Sequence, residues 1–145
     1  MTLHAFNAGC NIVGIRKNDR RYGMCCAWAQ MIDYDRLTML LGSQSDTAKV
    51  LTVGDILGVS ALAKDQRQIA EILGSGHSGS IDKWGRVAHH SEGTALLVDG
   101  AKTQMVCRLR DILHLPGIEN DSLLVLEVLS SQQNPDRVFL SAEEA

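Results

Sequence analysis

The sequence predicts a mainly β fold of the α+β class: a strand-rich antiparallel barrel with two or three short helices. Three observations point there. Apolar stretches of strand length recur along the chain, short turns join the first of them, and only two segments carry helical spacing. Strands do not alternate regularly with helices, which argues against a doubly wound sheet. The 145 residues suit one domain, 1–145, ending in a polar tail over 132–145.

In order, "CNIVGI" (10–15) reads as a strand. "RKNDRR" (16–21) follows as a solvated hairpin tip, because Asn18-Asp19 is a turn pair between two apolar runs. "YGMCCAWAQMI" (22–32) reads as a second strand, buried on both faces. "DYDR" turns the chain into a third, "LTMLLG" (37–42), and the three form a meander. A short helix follows in "SQSDTAKVL", with Ser45 as N-cap and Asp46 complementing the dipole. "DILGVSAL" (55–62) is the next strand. "KDQRQIAEIL" is a helix to Leu73 with Ile69, Ile72 and Leu73 on one face and Gly74 as C-terminal cap. Residues 74–92 read as loop. Strands return at "TALLVDG" (94–100), "TQMVCRLRDILHL" (103–115, ended by Pro116-Gly117) and "SLLVLEVLSS" (122–131).

Composition narrows the function. Hydrophobic residues make up 45% and charged ones 21%, an ordinary globular balance. A net charge of −3 gives no support to a nucleic-acid partner. No apolar run reaches the roughly 18 residues of a membrane span, and "MTLHAFNAGC" has neither the basic start nor the apolar run of a secretory signal. The expected compartment is the cytoplasm. Cys10, Cys25, Cys26 and Cys107 contain no C-x-x-C pair, and His89-His90 is not at helical ligand spacing, so neither a disulfide framework nor a metal site is expected.

Two stretches could meet a ligand. "GSGHSG" (74–79) matches G-x-G-x-x-G literally, but it follows a helix and "SIDKW" does not open one, so it is a permissive loop rather than a dinucleotide fingerprint. "GSQSDTAK" (42–49) is the better phosphate candidate: Ser43, Ser45 and Thr47 present hydroxyls at a helix start, with Lys49 to add charge. Plain capping by Ser45 competes with that reading.

Together, "YGMCCAW", the acidic turn, the apolar strand and "SQSDT" resemble the flavin reductase-like family of FMN-binding split barrels, flavoredoxins included. "GVSALAKDQRQIAEILGSGHSG", "LLVDGAKTQMVCRL" and "SLLVLEVLSS" resemble later segments in the same order, so the resemblance spans roughly residues 6 to 131. It implies a split barrel binding FMN, with FAD as a possibility. Such a protein passes electrons between flavin and NAD(P)H or a protein donor, and usually forms a homodimer with flavin at the interface. It implies a ring site at Met24, Cys25, Cys26, Ala27 and Trp28, and a phosphate site at Gly42, Ser43, Gln44, Ser45 and Thr47. It also implies a closing loop at Ser75, Gly76 and His77, where His77 is the candidate catalytic residue and, with Trp28, a wall for nicotinamide.

The chain departs from the family in two places. Cys25 and Cys26 stand where Thr and a small residue are common. Successive strand residues face opposite ways, so one thiol should face the site and the other the core. Asp121 stands about where a His associated with nicotinamide is usual, and Leu126 replaces a Gly; His114 and His77 are substitutes only if the fold brings them close. Two alternatives follow: a flavin-binding or flavin-sensing module without turnover, or a split barrel that has lost flavin and binds haem or nothing.

Overall fold

The structure is a computed structural model describing residues 5–75 and 82–143. The strands are β1 (Asn11–Lys17), β2 (Arg20–Cys26), β3 (Ala29–Asp33), β4 (Arg36–Leu41), β5 (Ile56–Ala61), β6 (His89–Glu92), β7 (Ala95–Val98), β8 (Thr103–Leu113) and β9 (Ser122–Gln133). The helices are α1 (Asp46–Val50) and α2 (Arg67–Gly74), and a 3-10 turn covers Trp84–Arg86. All strand pairs are antiparallel, and the sheet runs β3-β4-β9-β8-β5-β1-β7-β6 with β2 added on β1. It curls as a split barrel without closing into a ring, as the sequence predicts.

The β1–β2 hairpin turns at Asn18 (φ 54°) and Asp19 (φ 61°), the left-handed pair that a two-residue turn between twisted strands needs. The cluster is therefore at the hairpin tip as its sequence suggests, but only Arg16, Asn18, Asp19 and Arg20 are solvated, while Lys17 and Arg21 are partly buried and bonded. One edge of β1 is taken throughout by β2. The other is divided: residues 11–14 pair with β5, and Ile15 pairs with Ala95 of β7. Lys17 closes the arrangement, its Nζ donating to Val50 O at 2.7 Å, Thr52 Oγ1 at 2.9 Å and Asp55 Oδ2 at 2.7 Å. All three ammonium donors are used, which ties α1 and the start of β5 to the hairpin.

Alternation along β1 and β2 divides the core in two. Val13, Ile15, Tyr22 and Cys26 face the barrel interior with Leu37, Met39, Leu57, Leu109, Leu124 and Leu126. Ile12 faces the other way, into a second core of Leu62, Leu73, Trp84, Leu96 and Val98 capped by α2. On that outer side lies a row of glycines in register: Gly23 pairs with Gly14, and Gly14 with Gly58. A Cβ on Gly14 would lie 2.6 Å from Trp84 Cζ2, and one on Gly23 2.6 Å from Trp84 Nε1. A Cβ on Gly58 would collide with the Leu96 carbonyl. The bare backbone thus forms a trough that admits an indole and a crossing strand. Trp84 is fully buried in it, donating from Nε1 to Tyr22 O at 3.0 Å.

Several expectations change. The second strand is two: β2 ends at Cys26, Ala27 and Trp28 turn the chain (Ala29 N–H donates to Ala27 O at 3.2 Å), and β3 begins at Ala29. The meander therefore does not form, because β2 stays with β1 while β3 pairs with β4 and β4 with β9. The stretch read as loop contains the Trp84 turn and β6, whose polar "HHSE" lies at the sheet's edge. The polar C-terminal segment is stitched in: Phe139 bridges to Ala63, Ser141 bridges to Gly9, and Leu140 is buried. α2 begins at Arg67 rather than Lys64, since Gln66 turns back to accept from Ala63 N–H at 3.0 Å and to donate to Asp99 O at 2.8 Å.

Candidate functional site

A cleft of about 410 Å³ opens beside the second half of β2. Gly23, Met24 and Cys25 form one wall, the segment 42–47 another, and Leu73, Gly74, Lys83 and Asp121 complete it. The volume and the mixture of backbone, hydroxyl and charged groups suit a small polar ligand with an apolar body.

The 42–47 segment follows β4 in a turn that Ser45 N–H closes by donating to Gly42 O at 3.1 Å, and α1 begins. Ser45 Oγ accepts from Ala48 N–H at 3.1 Å and lies 2.9 Å from Met24 Sδ. Its hydroxyl is a true N-cap, and it also joins α1 to β2. Thr47 is buried, whereas Ser43 and Gln44 are exposed. Ser43 N–H already has an acceptor, Asp121 Oδ1 at 3.0 Å. Asp121 therefore stands on the cleft's rim with its carboxylate on the loop. His114 lies beside it, Nδ1 3.0 Å from Asp121 O, although His114 does not line the cleft. Lys49 is exposed and also outside the cleft.

The adjacent cysteines part as strand alternation requires. Cys25 lines the cleft, while Cys26 packs in the barrel core, its Sγ 3.3 Å from Leu40 O and 3.5 Å from Trp28 O. Burial pushes the Cys25 thiol up to about 12, helped by the neighbouring Cys10, so it is a neutral wall rather than a nucleophile. Burial likewise raises Cys10 and Cys26, and takes Cys107 to about 12.

Of the residues that the sequence points to, the cleft gathers Met24, Cys25, Gly42, Ser43, Gln44, Ser45 and Thr47. Ala27 and Trp28 are elsewhere: they line a separate groove with Phe6, Leu40 and Leu123, and Trp28 is 70% exposed. The turn at Ala27 redirects the chain before it could continue along the cleft. Ser75 follows Gly74 at the end of α2, its Oγ donating to Ile72 O at 3.3 Å. Gly76 and His77 lie outside the described residues. The sequence reading did not single out Gly23, Asp46, Leu73 and Lys83 as cleft residues. Lys83 is the instructive omission, because a lysine beside a tryptophan after a polar loop carries no motif. Among the described residues no cluster of three metal-binding side chains occurs, and no helix is long and apolar enough to cross a membrane.

An open split barrel with a polar cleft beside its second strand defines the class. The pattern of the flavin reductase like domain matches residues 3–140, and the chain belongs to that family. Solved structures agree on the fold. The NADH:FAD oxidoreductase SgcE6 of Streptomyces globisporus superposes with a TM-score of 0.82 at 20% identity, over 92% of this chain and 80% of that one. An FMN-binding protein of Thermus thermophilus gives 0.79 at 19%, over 92% and 74%. Flavoredoxin of Methanosarcina acetivorans gives 0.80 at 12%, over 97% and 88%. No curated protein matches the chain.

Proposed function

We propose that the chain holds FMN in this cleft and acts as a flavin reductase-like electron-transfer protein, taking electrons from NAD(P)H or a protein donor. The observation that carries this is the cleft itself, between Met24-Cys25 and the 42–47 segment, in a chain of this family. Its residues fit the group: a strand with small side chains, a glycine whose Cβ would meet nothing within 4 Å, exposed loop hydroxyls and a buried cation. The isoalloxazine, when bound, supplies the two-electron chemistry.

The chain's part is positioning and electrostatics. Met24 and Cys25 give the ring a wall that stays uncharged at neutral pH. Ser43, Gln44 and the backbone from Gly42 to Thr47 receive the phosphate end, while Ser45 holds that segment against β2 through Met24. Asp121 occupies the Ser43 N–H, so an incoming phosphate competes with a carboxylate there. Trp28 and Ala27, with exposed Phe6, Met31, Ile32 and Tyr34, suit a homodimer face on the β3 side. In that dimer they would approach the partner copy rather than this copy's cleft. We place the protein in the cytoplasm, as one flavin-binding unit over 1–145.

The visible spectrum of the purified chain is the test. A yellow protein releasing FMN, bleached by NADH or NADPH and restored by an acceptor, is the expected result. Bleaching by dithionite alone would favour a binding module without nicotinamide-driven turnover, a reading suggested by Asp121 at the rim and by no histidine among the described cleft residues. A colourless chain that cannot be reconstituted would overturn the flavin reading.

A further inference from the structure

Lys83 is out of place for a lysine. It is 6% exposed, yet it borders the cleft. Among the described residues its hydrogen-bond acceptor is Leu73 O, at 2.8 Å, in the last turn of α2. An ammonium has three donors, and among the described residues this bond engages one of them. Burying a cation is costly unless an anion compensates it. Desolvation accordingly draws the Lys83 ammonium below its ordinary range, with the charge of Asp46 opposing the shift. The other charged residues on the cleft wall, Asp46 and Asp121, are carboxylates. Lys83 is thus the cleft's cation among the described residues. Lys49, which the sequence offers for that role, is exposed and outside.

We propose that Lys83 receives the phosphate of the bound flavin and thereby sets the preference of this site for phosphorylated over unphosphorylated flavin. The inference rests on the flavin reading above and adds to it the residue that discriminates. Riboflavin has the same ring and ribityl chain but no anion, so it gains nothing from the ammonium. Without Lys83, the cleft would offer a phosphate dianion two carboxylates and no counter-charge. The buried setting strengthens the contact, since water competes poorly there. The bond to Leu73 O keeps Nζ from following solvent, which a flexible surface lysine would do.

Equilibrium titrations of FMN, FAD and riboflavin against the whole chain test this, with each variant's thermal midpoint recorded. Lys83→Gln should weaken FMN about 10- to 100-fold, the range of a charge-assisted hydrogen bond, and leave riboflavin within about threefold. FAD should weaken in the direction of FMN, Lys83→Arg should retain most of the FMN affinity, and Lys49→Gln should change neither ligand. Equal losses of FMN and riboflavin would overturn the proposal, making Lys83 a support for the end of α2. No loss for either would overturn it too. So would a loss confined to NADH, because the anion received would then be the nicotinamide donor's. Should Lys83→Gln unfold, Lys83→Met, which keeps the unbranched stem and loses the charge, takes its place: an FMN-selective loss supports the proposal, and an equal loss of FMN and riboflavin, or none, overturns it. Failure of the unmodified chain to bind any flavin would remove the flavin reading itself, and this proposal with it.

Discussion

The two halves of β2 receive opposite treatment. At Tyr22 and Gly23 the outer face is filled by the largest side chain available, with Trp84 laid into the glycine row and bonded to Tyr22 O. From Gly23 onward, along Met24 and Cys25, the strand also borders open space, and the cleft begins. Glycine serves both places for opposite reasons. In the row it removes a Cβ so that protein can enter; at Gly42 it removes one where no protein atom comes within 4 Å. The first kind is needed by the fold. The second is available to a ligand.

Substitutions can break that comparison, beginning with the row. Gly58→Val should prevent accumulation of folded protein, since its side chain would meet the Leu96 backbone, which cannot rotate aside. Trp84→Ala keeps the row but empties it. By analogy with other large-to-small aromatic changes it should cost about 3–5 kcal/mol, read from urea unfolding, out of a total stability of order 5–15 kcal/mol. A loss below about 1 kcal/mol for Trp84→Ala would deny the trough its structural role.

At the cleft the expected effect moves from stability to binding. Gly42→Val should leave unfolding within about 0.5 kcal/mol of the parent, because a side chain there meets nothing. FMN affinity should nevertheless fall, by about tenfold if one good contact is lost. Titration and melting of the same sample separate the two. A destabilised fold with unchanged affinity would reverse the distinction drawn between the glycines.

The smallest effect concerns the thiols. Cys25 and Cys107 are raised from 9.0 to about 12 in the folded chain. Their contribution to stability is therefore full below pH 9 and is lost as pH rises towards 12. Unfolding midpoints should hold from pH 7 to 9 and decline above, and Cys107→Ala should flatten the decline. At pH 8 a thiol-alkylating reagent should label the native chain slowly and the urea-unfolded chain at all four cysteines. Rapid native labelling at Cys25 would make that wall chemically active rather than inert.

Much of this architecture was legible in sequence because local chemistry fixed it. Asn18-Asp19 could hardly be other than a tight turn, and Ser45 caps α1 as its position suggests. The 42–47 segment was found for the same reason. The break at Ala27 was not visible: no Gly or Pro marks it, and continuous apolarity hides a change of sheet partner. Nor was the glycine row, since Gly14, Gly23 and Gly58 come into register only when three strands pair. Lys83 escaped likewise, because its burial depends on α2 ending beside it. What the sequence concealed was mostly the product of long-range pairing, and this includes the one cation in the described cleft wall.

The bridge between Gly9 and Ser141 places residues from opposite ends of the numbering side by side. A linker from Ser141 back to Gly9, with the chain opened at the exposed Asn18-Asp19 tip, would preserve every ladder among the described strands, with β2 leading and β1 arriving last. The order of synthesis is thus incidental to the architecture. What defines the protein is which strand lies against which, and a circular permutant would carry the same cleft under a different first residue.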